Sequence, residues 1–273
     1  MQIIDIKIKR HYPVNPVLKK LIKFYWILKS KKEAAIHGTL IPMNNIDLII
    51  NLSAPIKYIS GTKEETFKNS HFIGIQNNYK VVEQEGILDI VGISFSPTGF
   101  YPVIKEPLHK FANSIVLIDH IIPAFKNMAE RLAETELSHQ RIAIIEELLM
   151  KIIDLKLLPG KNYDSLINDF LTHGDAMNIK AYCKKHCFSQ RTVERFFKKH
   201  IGTTPKAFLM NTKFLKSIKS LKTGNIDSMA QIGYEFNYYD QTHFINSFKS
   251  FMGKTPAKQL RENDLILDIL PKS

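Results

Sequence analysis

Two sets of polar side chains recur along the 273-residue chain: Gln190, Arg191, Glu194 and Arg195, then Gln241, Thr242, His243 and Asn246. An arginine fork offers paired donors to one flat edge. An amide offers a donor beside an acceptor, and a carboxylate only accepts. This is the chemistry of recognition, not of bond making. Lys198, Lys199, Lys249 and Lys254 lie close by and can hold anions. No catalytic residues emerge: His37, His71, Glu83 and Glu85 have no catalytic or metal-ligand spacing, and there is no Gly-rich phosphate loop, HExxH or GxSxG. Cys183, His186 and Cys187 are too few for a closed zinc site. Packing, a metal and a thiol sensor are the alternatives there, with packing preferred. We expect no metal and no cofactor.

The polar sets ride on a duplicated pattern. One copy runs from Asn178 through Cys187 and Ser189 to Gly202 and Pro205. The other runs from Ser228 through Asn237 and Asp240 to Gly253 and Pro256. The offset grows from 50 to 51 residues after the turn, so the second turn is one residue longer. Each copy reads as two helices joined by a turn. Asn178 and Ser228 are N-cap types, and Ser228 with Gln231 forms a capping box. Ile179/Met229 and Tyr182/Ile232 share a face, and small Cys183 and Gly233 suit a close helix crossing. Cys187 and Asn237 fall at the turn. Asn accepts a left-handed backbone better than Cys, so the first turn is expected to be strained or differently shaped. Ser189 and Asp240 cap the second helices, which bury Val193/Phe244 and Phe197/Phe248 and turn the polar sets outward. Gly202 and Gly253 end them, and Pro205 and Pro256 open the next ones.

This stretch resembles the DNA-binding domain of the AraC/XylS family of bacterial transcription regulators. The resemblance rests on Tyr239 to Phe244 with Phe248-Lys249 and Gly253 to Pro256, matched in the first copy by Ser189, Arg195 to Lys198 and Gly202 to Pro205. It covers about the last 110 residues. The sequence departs from the family at Cys187 and Asn237, where Gly is usual, and at Lys213, where Arg is common. The resemblance implies base contacts from Gln190, Arg191, Glu194, Arg195, Gln241, Thr242, His243 and Asn246. Arg suits guanine, Glu cytosine, and Gln or Asn adenine. Phosphate contacts are expected from Ser189, Lys198, Lys199, Thr203, Thr204, Asp240, Lys249 and Lys254. The expected partners are double-stranded DNA, a small-molecule effector, a second copy of the chain and, for an activator, RNA polymerase.

Charge agrees with that reading. From Lys161 onward there are 18 Lys+Arg against 10 Asp+Glu, and the first 160 residues hold 20 against 16. The excess therefore gathers in the repeat-bearing end. Two cysteines exclude a disulfide framework. No signal pattern or membrane span is visible, so a cytoplasmic, nucleoid-associated protein is expected.

The remaining elements frame an α+β multidomain chain. Residues 1–157 read as a β-rich, sensor-like domain with a helical extension. Residues 158–163 read as a linker, and 164–273 as an all-α domain of two helix-turn-helix units joined by a long helix. Strands are predicted at Ile3–Lys9, Asp47–Leu52, Phe72–Ile75 and Ile87–Phe95, with a short helix or strand over Leu18–Leu28. Phe24, Tyr25 and Trp26 form core, or Tyr25 and Trp26 line an effector pocket. Ser94 to Tyr101, then Pro107-Leu108, is similar to a segment in the N-terminal domain of some AraC-family members, which implies a sensing or dimerising module. Pro123 opens a helical stretch with Phe125, Met128 and Leu132 on one face. Ser138 caps a helix whose stripe of Ile142, Ile145, Leu149, Ile152 and Leu155 packs on the first domain or pairs with a second copy. Asp164 caps a helix ending at Gly174, and Pro205 opens the long helix, which ends near Gly224. About 18 residues give roughly 27 Å, close to the ~34 Å between successive major-groove faces. Leu265 to Leu270 docks or frays. A small-molecule or protein-binding module whose helical domain contacts a protein, and an N-terminal enzyme fused to a DNA reader, are the rival readings.

Overall fold

The computed structural model describes residues 6–173, 177–223 and 229–261. Strands β1 (Ile6–His11), β2 (Ile22–Ser30), β4 (Asp47–Asn51), β7 (His71–Ile73), β9 (Asp89–Phe95) and β10 (Ile115–Leu117) form one antiparallel sheet, ordered β1-β2-β9-β4-β7-β10. The second sheet is β3 (Ala34–Leu40), β8 (Lys80–Gly86), β5 (Ile56–Ser60) and β6 (Lys63–Phe67), ordered β3-β8-β5-β6. Leu18–Leu28 turns out to hold both predicted alternatives: helix α1 (Pro16–Leu21), capped by Asn15, then β2.

The inner strands β2, β9 and β4 of the first sheet are buried on both faces, whereas edge strand β1 is partly exposed. Tyr25, Ile27, Leu48, Ile50, Val91 and Ile93 pack on the helical extension, α2 (Tyr101–Ile104), α3 (Met128–Ala133) and α4 (Ser138–Ile152). Phe24, Trp26, Leu28, Ile49, Ile73 and Ile90 face the second sheet. Successive strand residues point to opposite faces, so a strand covered on both sides reads as an unbroken apolar run. In the β2–β9 register Trp26 lies opposite Gly92, where an added Cβ would come within 1.9 Å of the indole, so only glycine leaves the ring its place.

Polar ties fix the extension. Arg141, 2% exposed, donates to both carboxylate oxygens of Asp89 at 2.6 and 3.0 Å, and its Nε donates to the carbonyls of Leu132 and Thr135. The Tyr25 hydroxyl donates to Glu146 Oε1 at 3.0 Å. The α4 stripe therefore packs on the β-rich region, with Ile145 and Leu149 buried, although Leu155 stays exposed. Ser138 is the first helical residue and does not cap; Leu137 holds the cap position without a side-chain bond.

The helical region follows: α5 (Lys161–His173), α6 (Ile179–Lys185), α7 (Gln190–His200), α8 (Pro205–Thr223), α9 (Met229–Glu235), α10 (Gln241–Met252) and α11 (Pro256–Arg261). Asp164 does not cap α5. The helix starts three residues earlier, with Tyr163 and Asp164 amides bonding Gly160 O, so Asp164 lies in the first turn. The Ser228 cap and its box with Gln231, the Met229 side chain, the ends at Gly174 and Gly224 and the segment Leu265 to Leu270 lie outside the described residues. Among the described residues no helix is long and apolar enough to cross a membrane.

Candidate nucleic-acid interface

The helix pairs α6–α7 and α9–α10 are built alike. The turn residues Cys187 and Asn237 have φ of 57° and 54°. Phe188 N donates to Cys183 O at 2.9 Å, and Tyr238 N to Gly233 O at 2.8 Å. The first turn is thus not differently shaped. Cys187 adopts the left-handed conformation that Asn237 takes more easily, because the hydrogen bond closing the turn demands it. The extra residue of the second copy is Tyr239, which follows the shared turn and is 92% exposed. An added Cβ at Gly233 would meet Asp240 backbone at 3.6 Å, ordinary contact, so buried Cys183 fits the equivalent place. His186 stacks on Tyr182 instead of joining the thiols.

Both second helices are capped as their sequences require. Ser189 Oγ accepts from Thr192 N at 3.0 Å, and Asp240 Oδ1 from His243 N at 2.6 Å. Val193, Phe196 and Phe197 bury one side of α7; Phe244, Phe248, Phe251 and Met252 bury one side of α10. Gln190, Arg191, Glu194, Arg195 and Lys198 are exposed on α7, as are Gln241, Thr242, His243, Asn246 and Lys249 on α10. Basic residues close both helices, next to the negative end of the helix dipole.

Helix α8 serves both copies. Phe208 and Leu209, near its start, enter the first core with Phe170, Val193 and Phe197. Phe214 and Ile218 enter the second core with Ile232, Phe244 and Phe248. Its 19 residues span roughly 28 Å at 1.5 Å each. Lys213 Nζ donates to Asn237 O and stands 4.0 Å from the centre of the Tyr238 ring, so the lysine found where the family often has arginine braces the second turn.

The β-rich region touches both copies. His200, at the end of α7, lies between Tyr101 and Phe196, with ring centres at 4.3 and 4.7 Å. Burial there pushes its pKa down to about 4. Lys199 Nζ stands 5.4 Å from the centre of the Tyr101 ring, so its ammonium is held against the first region. Gly202 presses on Leu108. Thr203 is buried at 8% exposure beside this contact and is not open to a phosphate; Thr204 caps α8 by accepting from Ala207 N. Arg191, Glu194, Arg195, Lys198 and Lys199 line an open groove whose other wall is Pro107 and His109. Gly253, with φ of 74°, ends α10 against the Tyr79 ring, which an added Cβ would strike at 2.4 Å.

A second candidate site lies between the sheets. An apolar cavity of about 110 Å³ is lined by Phe24, Trp26, Ile49, Ile73, Val82 and neighbouring side chains. Trp26 lines it and is also part of the packing between the sheets. Tyr25, the residue before it on β2, points to the opposite face and belongs to the core under α4. The sequence reading missed Asp47, Tyr58 and Gln84, which also line the cavity, because polar residues within strands carried no signal of an interior. Ile41 and Met43 line it too, and both pack against the second helix-turn-helix core.

Comparison with known proteins gives two family matches. A domain of unknown function (DUF6597) matches residues 10–117, and a helix-turn-helix domain matches residues 182–262. The HTH-type transcriptional activator RhaS of Escherichia fergusonii is 26% identical over 133 residues, 46% of this chain and 48% of that protein. An XylDLEGF operon transcriptional activator of Pseudomonas putida is 31% identical over 77 residues, 27% of this chain and 24% of its own length. The chain thus spans half or less of these curated relatives. Among solved structures, ToxT from Vibrio cholerae is 13% identical with a TM-score of 0.44, covering 85% of this chain and 98% of that one. The AraC-like transcriptional activator CuxR is 10% identical with a TM-score of 0.33, covering 78% and 87%.

Proposed function

The chain belongs to the AraC/XylS family of DNA-binding transcription regulators through its helix-turn-helix region, and on that premise we propose that it grips one duplex with α7 and α10 in successive major grooves, under control of its β-rich region. One observation carries the DNA reading: two helix pairs share the same turn bond and point polar residues outward from either end of one helix. Gln190, Arg191, Glu194, Arg195, Gln241, Thr242, His243 and Asn246 read base edges. Lys198, Lys249, Lys254 and the capped helix starts at Ser189 and Asp240 hold phosphates. Lys199 joins them once it leaves Tyr101. In this reading residues 1–157 are the regulatory domain and the reader follows a linker that the start of α5 at Lys161 shortens from 158–163 to 158–160. The protein acts in the cytoplasm, and RNA polymerase and a second copy are its further partners.

Control is supported by Ile41 and Met43, which belong at once to the cavity wall and to the packing of the second core. An occupant that shifts them disturbs the seat of α8 and α10. Pro107 and His109, across the groove from α7, restrict the approach of a duplex until the two regions part.

Selection of bound fragments from random DNA, using the full chain, tests this. Two recognition elements about 10–10.5 base pairs apart are expected. A single isolated element, or retention that scrambled DNA matches at every salt concentration, would sink it.

A further inference from the structure

The cavity's few polar groups define what it accepts. Gln84, 2% exposed, donates through Nε2 toward Ala54 O at 2.7 Å, Ser53 Oγ at 3.2 Å and Asn51 Oδ1 at 3.4 Å. Its Oε1 is a buried acceptor without a partner. Flipping the amide would aim oxygen at the Ala54 carbonyl, so the network fixes this orientation. Tyr58 bonds His71 Nε2 at 2.8 Å while His71 Nδ1 meets the Asn69 carbonyl at 2.9 Å. Nδ1 must therefore carry the proton, and the Tyr58 hydroxyl donates, leaving its oxygen to accept. Ser94 donates to Asp47 Oδ1, which also accepts from Asn45, so Oδ2 remains for a guest. The indole nitrogen of Trp26 lies against Gly92. Lys80, further along the same face of β8, is not part of the lining.

Gln84 reaches Asn51, the last residue of β4, and Asp47 is the first. The two acceptors therefore stand at opposite ends of an otherwise apolar space. A buried acceptor left unpaired is unfavourable, and a donor supplied by a guest removes that cost. The volume is below the roughly 150 Å³ of a dry apolar cavity that holds benzene. That limits the guest to about one ring.

We propose that the cavity takes a small apolar molecule of about one ring whose polar group donates a hydrogen bond, a phenol, alcohol or amine, with the donor on Gln84 Oε1 and Asp47 as the second acceptor. A carboxylate of the same size is excluded, since it would set acceptor against acceptor. This names the ligand class of the control site and rests on the reading of the β-rich region as a sensor.

Trp26 is the one tryptophan of the chain and lines the cavity, so its fluorescence reports occupancy directly. Full-length protein is titrated with phenol, toluene, anisole and benzoate. Phenol is expected to bind at least roughly tenfold tighter than toluene or anisole, which lack a donor, and benzoate not to bind. Gln84→Met should weaken phenol several-fold and leave toluene unchanged, the remaining preference resting on Asp47. Should that variant fail to fold, the size-matched phenol–toluene comparison on the native chain decides. Val82→Phe, which fills the cavity, should abolish every response. Equal binding of phenol and toluene, tighter binding of benzoate, absence of phenol binding, or a phenol response that survives Val82→Phe each overturn the proposal. Duplex binding by the same preparations separates the two readings: its loss with phenol selectivity intact counts against the DNA reading alone.

Discussion

The side-chain amide of Asn44 donates at 2.8 Å to Thr212 Oγ1, and at 3.0 Å to the Phe208 carbonyl one helical turn earlier. Asn44 comes from the loop between β3 and β4, and both partners from α8. Thr212 itself donates to Phe208 O at 2.9 Å, so removing Asn44 leaves neither of them bare. The bond therefore holds region to region more than it holds α8 together. Asn44→Ala is expected to weaken the docking by about 1–2 kcal/mol. Hydrogen exchange should quicken in residues 41–46 and stay unchanged in β9, and duplex affinity should rise several-fold. Unchanged exchange in 41–46 would show that Asn44 does not hold the regions together.

On the proposed reading, Arg195 contacts a base edge and Lys249 a phosphate, and substitutions separate the two roles. Arg195 is exposed in the middle of α7, whereas Lys249 is exposed in the last turn of α10. Arg195→Ala should cost about 1–3 kcal/mol on the cognate sequence and little on a scrambled one. Lys249→Ala should weaken both alike and lower the salt slope by about one. Competition assays with the two duplexes check this. Equal losses for Arg195→Ala would move that residue to the backbone set.

The strands and caps that the sequence reveals share a physical cause. The run from Ile87 to Phe95 is visible because β9 is buried on both faces. Ser189 and Asp240 are visible because a helix start needs an acceptor wherever it lies. Strands β5, β6 and β8 belong to the outer sheet. Lys63 to Thr66 is polar, leaving Phe67 as the strand's single apolar residue, and β8 places Gln84 on its inward face where alternation calls for an apolar residue. Thr203 and Thr204 look equivalent in sequence. Thr204 caps α8 and is exposed, whereas Thr203 is buried next to the docking of Gly202 on Leu108, a contact between distant segments that leaves no local pattern.

Tyr101 restrains the end of α7 through Lys199 and His200. Tyr101→Ala should free Lys199 for a phosphate. The slope of log affinity against log salt should then steepen by about 0.9, the share of one extra neutralised phosphate. Adding Lys199→Gln should cancel the gain. A slope unmoved by Tyr101→Ala would mean that Lys199 already reaches DNA, or never does, and the double variant distinguishes these: it lowers the slope only in the first case.

Two buried groups oppose each other in acid. Burial pushes the His71 pKa from 6.5 down to about 4, and burial raises that of Asp47 from 3.8 to about 6. Below pH 6.5 an unfolded His71 binds a proton that the folded one refuses. Its contribution is complete above 6.5 and lost as the pH falls toward 4, to the extent of about 3 kcal/mol. Asp47 runs the other way. It is neutral below about 6 when folded, so its contribution grows as the pH falls from 6 to 3.8, by a similar amount. The native chain should therefore lose little stability from these groups between pH 6 and 4. Asp47→Asn removes one side of the balance, so its stability should fall by about 2–3 kcal/mol more than that of the native chain over this range. Urea unfolding at pH 7, 6, 5 and 4 gives the comparison. Parallel curves for the two proteins would mean that Asp47 is already ionised in the folded chain near pH 4.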